Sequence, residues 1–314
     1  MDIKKIHKSF VSNRFPLILS IIVFIVLRLL GNENRTSATL WGITIIQIII
    51  AISLLYLNTT FVIIRQRTLL PAFFYLLFTG TEPLLFYDIK GSISALIIVF
   101  CLFFLFATYQ KTESQAYIFN ISILLTLGSF LWTPLLFFFP LFWYGMYRFR
   151  SLNIRTLFAG IIGFFMIYLF IFTWSILKND LSIFLDSFPD FNNSWNIYLF
   201  KFNLKEWIIA GFITILFIFS GAKIFMSGVA EKVRAMATLS YLYFFAFLIF
   251  IFFLFQNNGE KGWILILYIP VSFLISHFFT LSYKNWTIWL FFFTIIFFLG
   301  IFGLEYRQIF PDNI

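Results

Sequence analysis

Runs of about 15–20 apolar residues recur along the whole of this 314-residue chain, and they constrain its fold more than any other feature. A helix needs roughly 20 such residues to cross the hydrocarbon core of a bilayer. Lipid offers no partners to backbone N–H and C=O groups, so a segment at that depth has to pair them internally. The apolar blocks lie near 16–31, 39–57, 69–87, 92–109, 117–147, 157–176, 207–226, 236–255, 263–281 and 287–304. They predict an all-α, polytopic transmembrane helical bundle, a single integral membrane domain over 1–314. Charged residues make up 11% of the chain and apolar ones 61%, against about 25% and roughly 45–50% in soluble domains. Nothing along the chain suggests a separate soluble domain.

The block at 117–147 is too long for one ordinary crossing, and "LWTPLL" places Trp132, Thr133 and Pro134 at its middle. Proline disfavours helix continuation, so the block reads as a hairpin of two short helices, giving eleven crossings rather than ten. Charge asymmetry favours the hairpin. With eleven crossings and a cytoplasmic N-terminus, 14 of the 22 basic residues fall inside, Arg65, Arg67, Lys111, Arg148, Arg150 and Arg234 among them. Ten of the 13 acids then fall outside, as does the C-terminus. Lys and Arg in short cytoplasmic loops set orientation, whereas acids contribute little. The net charge of +9 is dispersed among short loops, which points to membrane orientation and to lipid neighbours, not to nucleic acid.

The accompanying Phe, Ile, Asn and Lys usage suggests an AT-rich bacterial gene, so the expected location is a bacterial inner membrane, with the chain multi-pass. The N-terminal basic stretch leads to Arg28 and Arg35 without a small-residue cleavage site, so no cleavable signal peptide is expected. Cys101 is the only cysteine, which excludes an intramolecular disulfide and a cysteine-based metal cluster. His7 and His277 have no second ligand at metal-site spacing, and His277 is expected to pack within the bundle. No phosphate-loop or dinucleotide glycine pattern occurs. Residues 177–206 form the one long outer segment, with two stretches patterned like interfacial helices. Tryptophans at 41, 132, 174, 207, 263, 286 and 289 fall near block ends, as an aromatic belt does.

Polar groups at membrane depth are costly, and they usually face a bundle interior or a water-filled cavity. Arg28, three residues from the outer end of its block, is within snorkelling reach of the interface. Gln47 lies centrally in its block, where a helix–helix hydrogen bond accounts for it. "TGTEP" at 79–83 puts Glu82 between Gly80 and Pro83, five residues before Tyr87-Asp88. A helix loosened there frees carbonyl groups that need partners, and such breaks are tolerated where they line protein or aqueous space. Two readings stand open. Glu82, Asp88 and Glu33 converge on an acidic outer cleft, or Glu82 is a solvated acid at a kinked helix end.

The run from 48 to 150 holds "RQRTLLPAFFYLLFTGTEPLLFYD", then a span, the link "YQKTESQAYIF", and "ILLTLGSFLWTPLLFFFPLFWYGMYRFR". This layout resembles the central membrane module of GT-C glycosyltransferases, multi-span enzymes that use polyprenyl-phosphate-linked sugars. It covers about a third of the chain and is mostly hydropathic. The resemblance implies an outer-side carboxylate as general base, with Glu82, Asp88 and Glu33 as candidates. It implies a cation for the lipid phosphate, from Arg28, Arg35 or Lys90, and a divalent metal in addition. The sequence departs from the pattern in its short first outer loop, "GNENRTSATLW", whose only acid is Glu33. No extended outer C-terminal domain is expected either. Two other functions compete: a non-catalytic membrane subunit or scaffold of an envelope assembly, and a transporter or flippase.

Overall fold

The computed structural model describes residues 15–31, 37–185, 204–226, 233–254, 262–282 and 285–306. These residues are helical with short links. The α-helices are α1 Phe15–Leu30, α2 Ala38–Phe61, α3 Leu70–Gly80, α4 Ile89–Ala107, α5 Gln115–Ser129, α6 Phe139–Arg148, α7 Ile154–Leu177, α8 Ser182–Leu185, α9 Leu204–Met226, α10 Val233–Leu254, α11 Gly262–Leu281 and α12 Asn285–Tyr306. Two 3-10 turns, Pro83–Phe86 and Thr133–Phe138, lie between α3 and α4 and between α5 and α6. Among the described residues, seven helices (α2, α4, α7 and α9–α12) are long and apolar enough to cross a membrane. The chain is a multi-pass membrane protein.

Burial sorts the helices into a centre and a rim. The α11 helix is buried along nearly its whole length and packs on α3, α4, α9 and α10. The short α3 is buried at every position. Around this pair stand helices with lipid-ready outer faces, the most exposed being α7, where Phe165, Leu169 and Phe170 project outward. Many phenylalanines serve the interior. Phe74 and Phe78 of α3 meet Phe279 at 5.6 Å and Tyr268 at 5.4 Å on α11, and Phe298 on α12 lies 4.7 Å from Phe78. Lipid tails are as apolar as these rings, so shape complementarity, not water exclusion, holds such contacts together.

The long block at 117–147 is present as a hairpin. Its α5 and α6 run antiparallel about Trp132, and Pro134 starts the 3-10 turn between them. The tip packs on α11 through Trp132 and Trp263, with ring centroids 5.0 Å apart. The base is tied at the opposite end of the bundle. There the Ser114 hydroxyl donates to the Ser151 carbonyl at 2.9 Å, and the Ser151 hydroxyl donates to Thr108 Oγ1 at 3.1 Å. Removing the first of these by Ser114→Ala is expected to lower stability by about 1 kcal/mol, read as a shift in the unfolding midpoint in detergent.

These contacts give the bundle two distinguishable ends. Gly262, Trp132, Gly91, Phe86 and Gly31 meet at one. Phe61, Phe106, Gln110, Phe149 and Arg234 meet at the other. Among the described residues the second end holds Arg65, Arg67, Lys111, Arg148, Arg150, Arg155, Lys223 and Arg234 beside the single acid Glu113. The first end carries Lys90, Lys178 and Lys205 with Glu82, Asp88, Asp180 and Glu206. Most of the segment at 177–206, with its expected interfacial helices, lies outside the described residues.

Candidate functional site

The "TGTEP" stretch is where α3 stops. Gly80 ends the helix and lets α1 pass close by: a Cβ there would lie 2.8 Å from Phe24 Cδ2. Thr79 and Thr81 turn their hydroxyls back onto helix carbonyls, Thr79 Oγ1 to Tyr75 at 2.9 Å and Thr81 Oγ1 to Leu77 at 3.0 Å. Past the break, Leu85 N–H donates to the Glu82 carbonyl at 3.1 Å as the 3-10 turn forms. The Thr81 hydroxyl also reaches the Phe78 carbonyl, at 3.2 Å, one of the last carbonyls of the helix, which the break would otherwise leave over.

Glu82 itself is extended (φ −114°, ψ 96°) and buried, with 6% of its surface exposed. Its Oε2 accepts a hydrogen bond from the Tyr268 hydroxyl at 3.1 Å. This corrects the reading of a solvated acid at a kinked helix end. The break turns the side chain inward onto α11 instead of out to water. Tyr268 had no signal in the sequence beyond being one hydroxyl in an apolar block, because 186 residues separate it from its partner.

Arg28 is buried too, only 1% exposed, which overturns the expectation that it snorkels to the interface. Its guanidinium lies between the rings of Phe24 (4.9 Å) and Phe86 (4.5 Å), an arrangement that favours a cation electrostatically. Beyond it Gly31 packs closely on Phe86 and Phe302, so the route outward is closed by rings. Nη1 donates to Thr44 Oγ1 at 3.3 Å and Nη2 donates to Gln47 Oε1. Gln47 Nε2 in turn donates to Ser92 Oγ at 3.3 Å, so the expected helix–helix hydrogen bond of Gln47 exists and joins α2 to α4. No described carboxylate pairs with Arg28. The buried Tyr75 hydroxyl, within electrostatic reach of Arg28, has no hydrogen-bond partner among the described residues.

Other candidates have different roles. Asp88 is the N-cap of α4: its Oδ1 accepts from Gly91 N–H at 2.8 Å. Its carboxylate is thus engaged by the helix terminus. The helix needs its first N–H groups capped, and "YDIKG" supplies that locally. Lys90 is exposed on the first turn of α4. Glu33 and Arg35 lie outside the described residues. His277 is buried in α11. Among the described residues no three His, Cys, Asp or Glu side chains gather in one place.

Arg28 and Glu82 are the buried members of the candidate set. The arginine lies against the rings of Phe24 and Phe86, and Glu82 immediately precedes the turn that carries Phe86. No family model, curated protein or solved structure matches this chain. A buried carboxylate that accepts from a phenol can take a proton, and a buried guanidinium with no described carboxylate partner can hold an anionic group.

Proposed function

We propose that this chain is a bacterial inner-membrane protein of GT-C glycosyltransferase type, acting in envelope glycan or lipid-linked sugar metabolism. It crosses eleven times, with the N-terminus in the cytoplasm, the C-terminus outside and the Arg148 end facing inward. The concentration of described basic residues at that end supports this orientation. The Glu82 end then faces outward.

One observation carries the catalytic reading: the buried Glu82–Tyr268 pair where α3 breaks, with Arg28, also buried, against Phe86 of the turn that follows. Glu82 takes the proton of an acceptor hydroxyl. The hydroxyl oxygen bonds to the anomeric carbon while the bond from that carbon to the polyprenyl phosphate breaks. The electron pair leaves with the phosphate, and Arg28 offsets its charge. Tyr268 orients the carboxylate by donating to its other oxygen.

The test is complementation of the envelope-glycan profile in a strain lacking the gene. Glu82→Gln is expected to lower the glycan product by a factor of about 10²–10⁴ at unchanged protein level, the contribution typical of a general base. Asp88→Asn is expected to complement fully, since asparagine caps a helix as well as aspartate. Full complementation by Glu82→Gln overturns catalysis and leaves the scaffold. Solute flux lost with Glu82→Gln, with glycans intact, identifies a transporter.

A further inference from the structure

At the end opposite Glu82, a cavity of about 320 Å³ opens between the base of the α5–α6 hairpin and the start of α10. Tyr109, Gln110, Arg148, Arg150 and Met236 line it. Arg148 and Arg150 thus share one recess, and the chain goes to some length to place the second. Arg150 follows α6 in the left-handed conformation, φ 56°. The Arg150 N–H donates to Tyr147 at 3.1 Å and the Ser151 N–H to Met146 at 3.0 Å, the paired bonds of a helix stop where glycine is the usual residue. Gln110 beside it is left-handed as well (φ 57°), and its N–H donates to the Phe149 carbonyl at 3.0 Å. Two non-glycine residues held in that region against their preference, tied back to back, shape one rim.

The cations there are uncompensated by described acids. Arg148 Nη2 donates only to the Ser240 hydroxyl, at 3.4 Å, and Arg150 has no side-chain partner among the described residues. A third guanidinium stands behind the wall: Arg234 lies 5.4 Å over the Tyr109 ring and donates to the Phe106 carbonyl at 3.3 Å. Orientation in the membrane accounts for basic residues at this end, but it places no requirement on two of them meeting in one recess. The walls are mixed, with Tyr109 and Met236 giving an apolar side to a cationic floor. Two forked guanidiniums match the oxygens of a phosphate group, and a recess of this size admits a headgroup-sized anion.

We propose that this cavity is a binding site for a phosphate group, carried by a membrane lipid or by a soluble molecule, with Arg148 and Arg150 as its direct ligands. The site stands apart from the glycan reading, and neither depends on the other.

The full chain is reconstituted in phosphatidylcholine nanodiscs, and its unfolding midpoint is followed in two arms. One arm introduces phosphatidic acid or phosphatidylglycerol into the disc. The other adds inorganic phosphate or pyrophosphate to the buffer. A rise in the first arm alone assigns the site to a lipid phosphate, and a rise in the second assigns it to a soluble one. Arg148→Gln with Arg150→Gly is expected to weaken that response by about tenfold or more. Glycine suits the left-handed position, so this pair is expected to match the parent midpoint in phosphatidylcholine; Arg148→Gln with Arg150→Asn is a second version that tolerates the same backbone. Lys111→Gln with Arg155→Gln removes equal charge from exposed positions at the same end and is expected to keep the response. No rise in either arm, or equal loss in the charge-matched pair, overturns the proposal.

Discussion

Gln47→Leu is expected to destabilise the bundle by about 3 kcal/mol or more, and Arg28→Met in the same chain to reverse that loss. The reasoning starts from the charge. Arg28 is buried with no described carboxylate beside it, so its guanidinium depends on Gln47 Oε1, Thr44 Oγ1 and two aromatic faces. Taking away the amide leaves a buried charge short of an acceptor, which carries the full desolvation penalty of the orphaned group. Replacing both partners by apolar side chains of similar length removes the charge together with its need. Such replacements are typically neutral or stabilising by about 1–4 kcal/mol. Ser92 does not become an orphan in the double variant, because its hydroxyl also donates to the Asp88 carbonyl at 2.8 Å. Thr44 likewise keeps its bond to the Leu40 carbonyl, at 2.6 Å. Thermal unfolding in detergent of the parent, the two single variants and the double closes the cycle. A harmless Gln47→Leu, or a double variant weaker than Gln47→Leu, would contradict the network as described. The stable double variant is expected to have no function in complementation, because Arg28 is retained at an insertion cost of up to about 2.5–3.5 kcal/mol that folding alone does not require.

The second large effect lies where α4 and α11 begin. Gly91 and Gly262 meet backbone to backbone: a Cβ on Gly91 would sit 2.7 Å from Gly262 Cα and against the Asp88 carboxylate that caps α4. A side-chain tip can rotate away from such a clash, but a Cα can move only with its helix. Gly91→Ala is therefore expected to separate the two helices, disturb the Asp88 cap and lower stability by about 2–4 kcal/mol. Gly42→Ala is the internal control, since nothing lies within 4 Å of its added Cβ. In α2 it is expected to be neutral or to stabilise by up to about 1 kcal/mol through helix propensity. Equal midpoints for the two alanine variants would refute the close approach.

Much of the architecture was legible in the sequence. Hydropathy accumulates residue by residue, so the apolar blocks announced helices that the structure contains at nearly the same positions. The proline at 134 and the excess length of its block announced the hairpin, because both act locally on the backbone. The break at Gly80–Pro83 was legible for the same reason, and Asp88 carried the signature of a helix cap within its own few residues. Sequence had no means of deciding which way a polar side chain faces. Arg28 lay within reach of the interface by counting, yet it is buried against the rings of Phe24 and Phe86.

By itself, then, the sequence determined that the chain is a helical multi-pass membrane protein, where its helices break, and how charge is apportioned along it. Tertiary structure alone decided that Glu82 meets Tyr268, that Arg28 rests on Gln47, and that Arg148 and Arg150 share a cavity. The physical reason is the range of the interactions. Helix formation in lipid is settled by hydrogen bonds four residues apart and by the transfer of each side chain, both readable in order. The partner of a buried polar group is settled by packing among helices distant in sequence, and no local pattern encodes that choice.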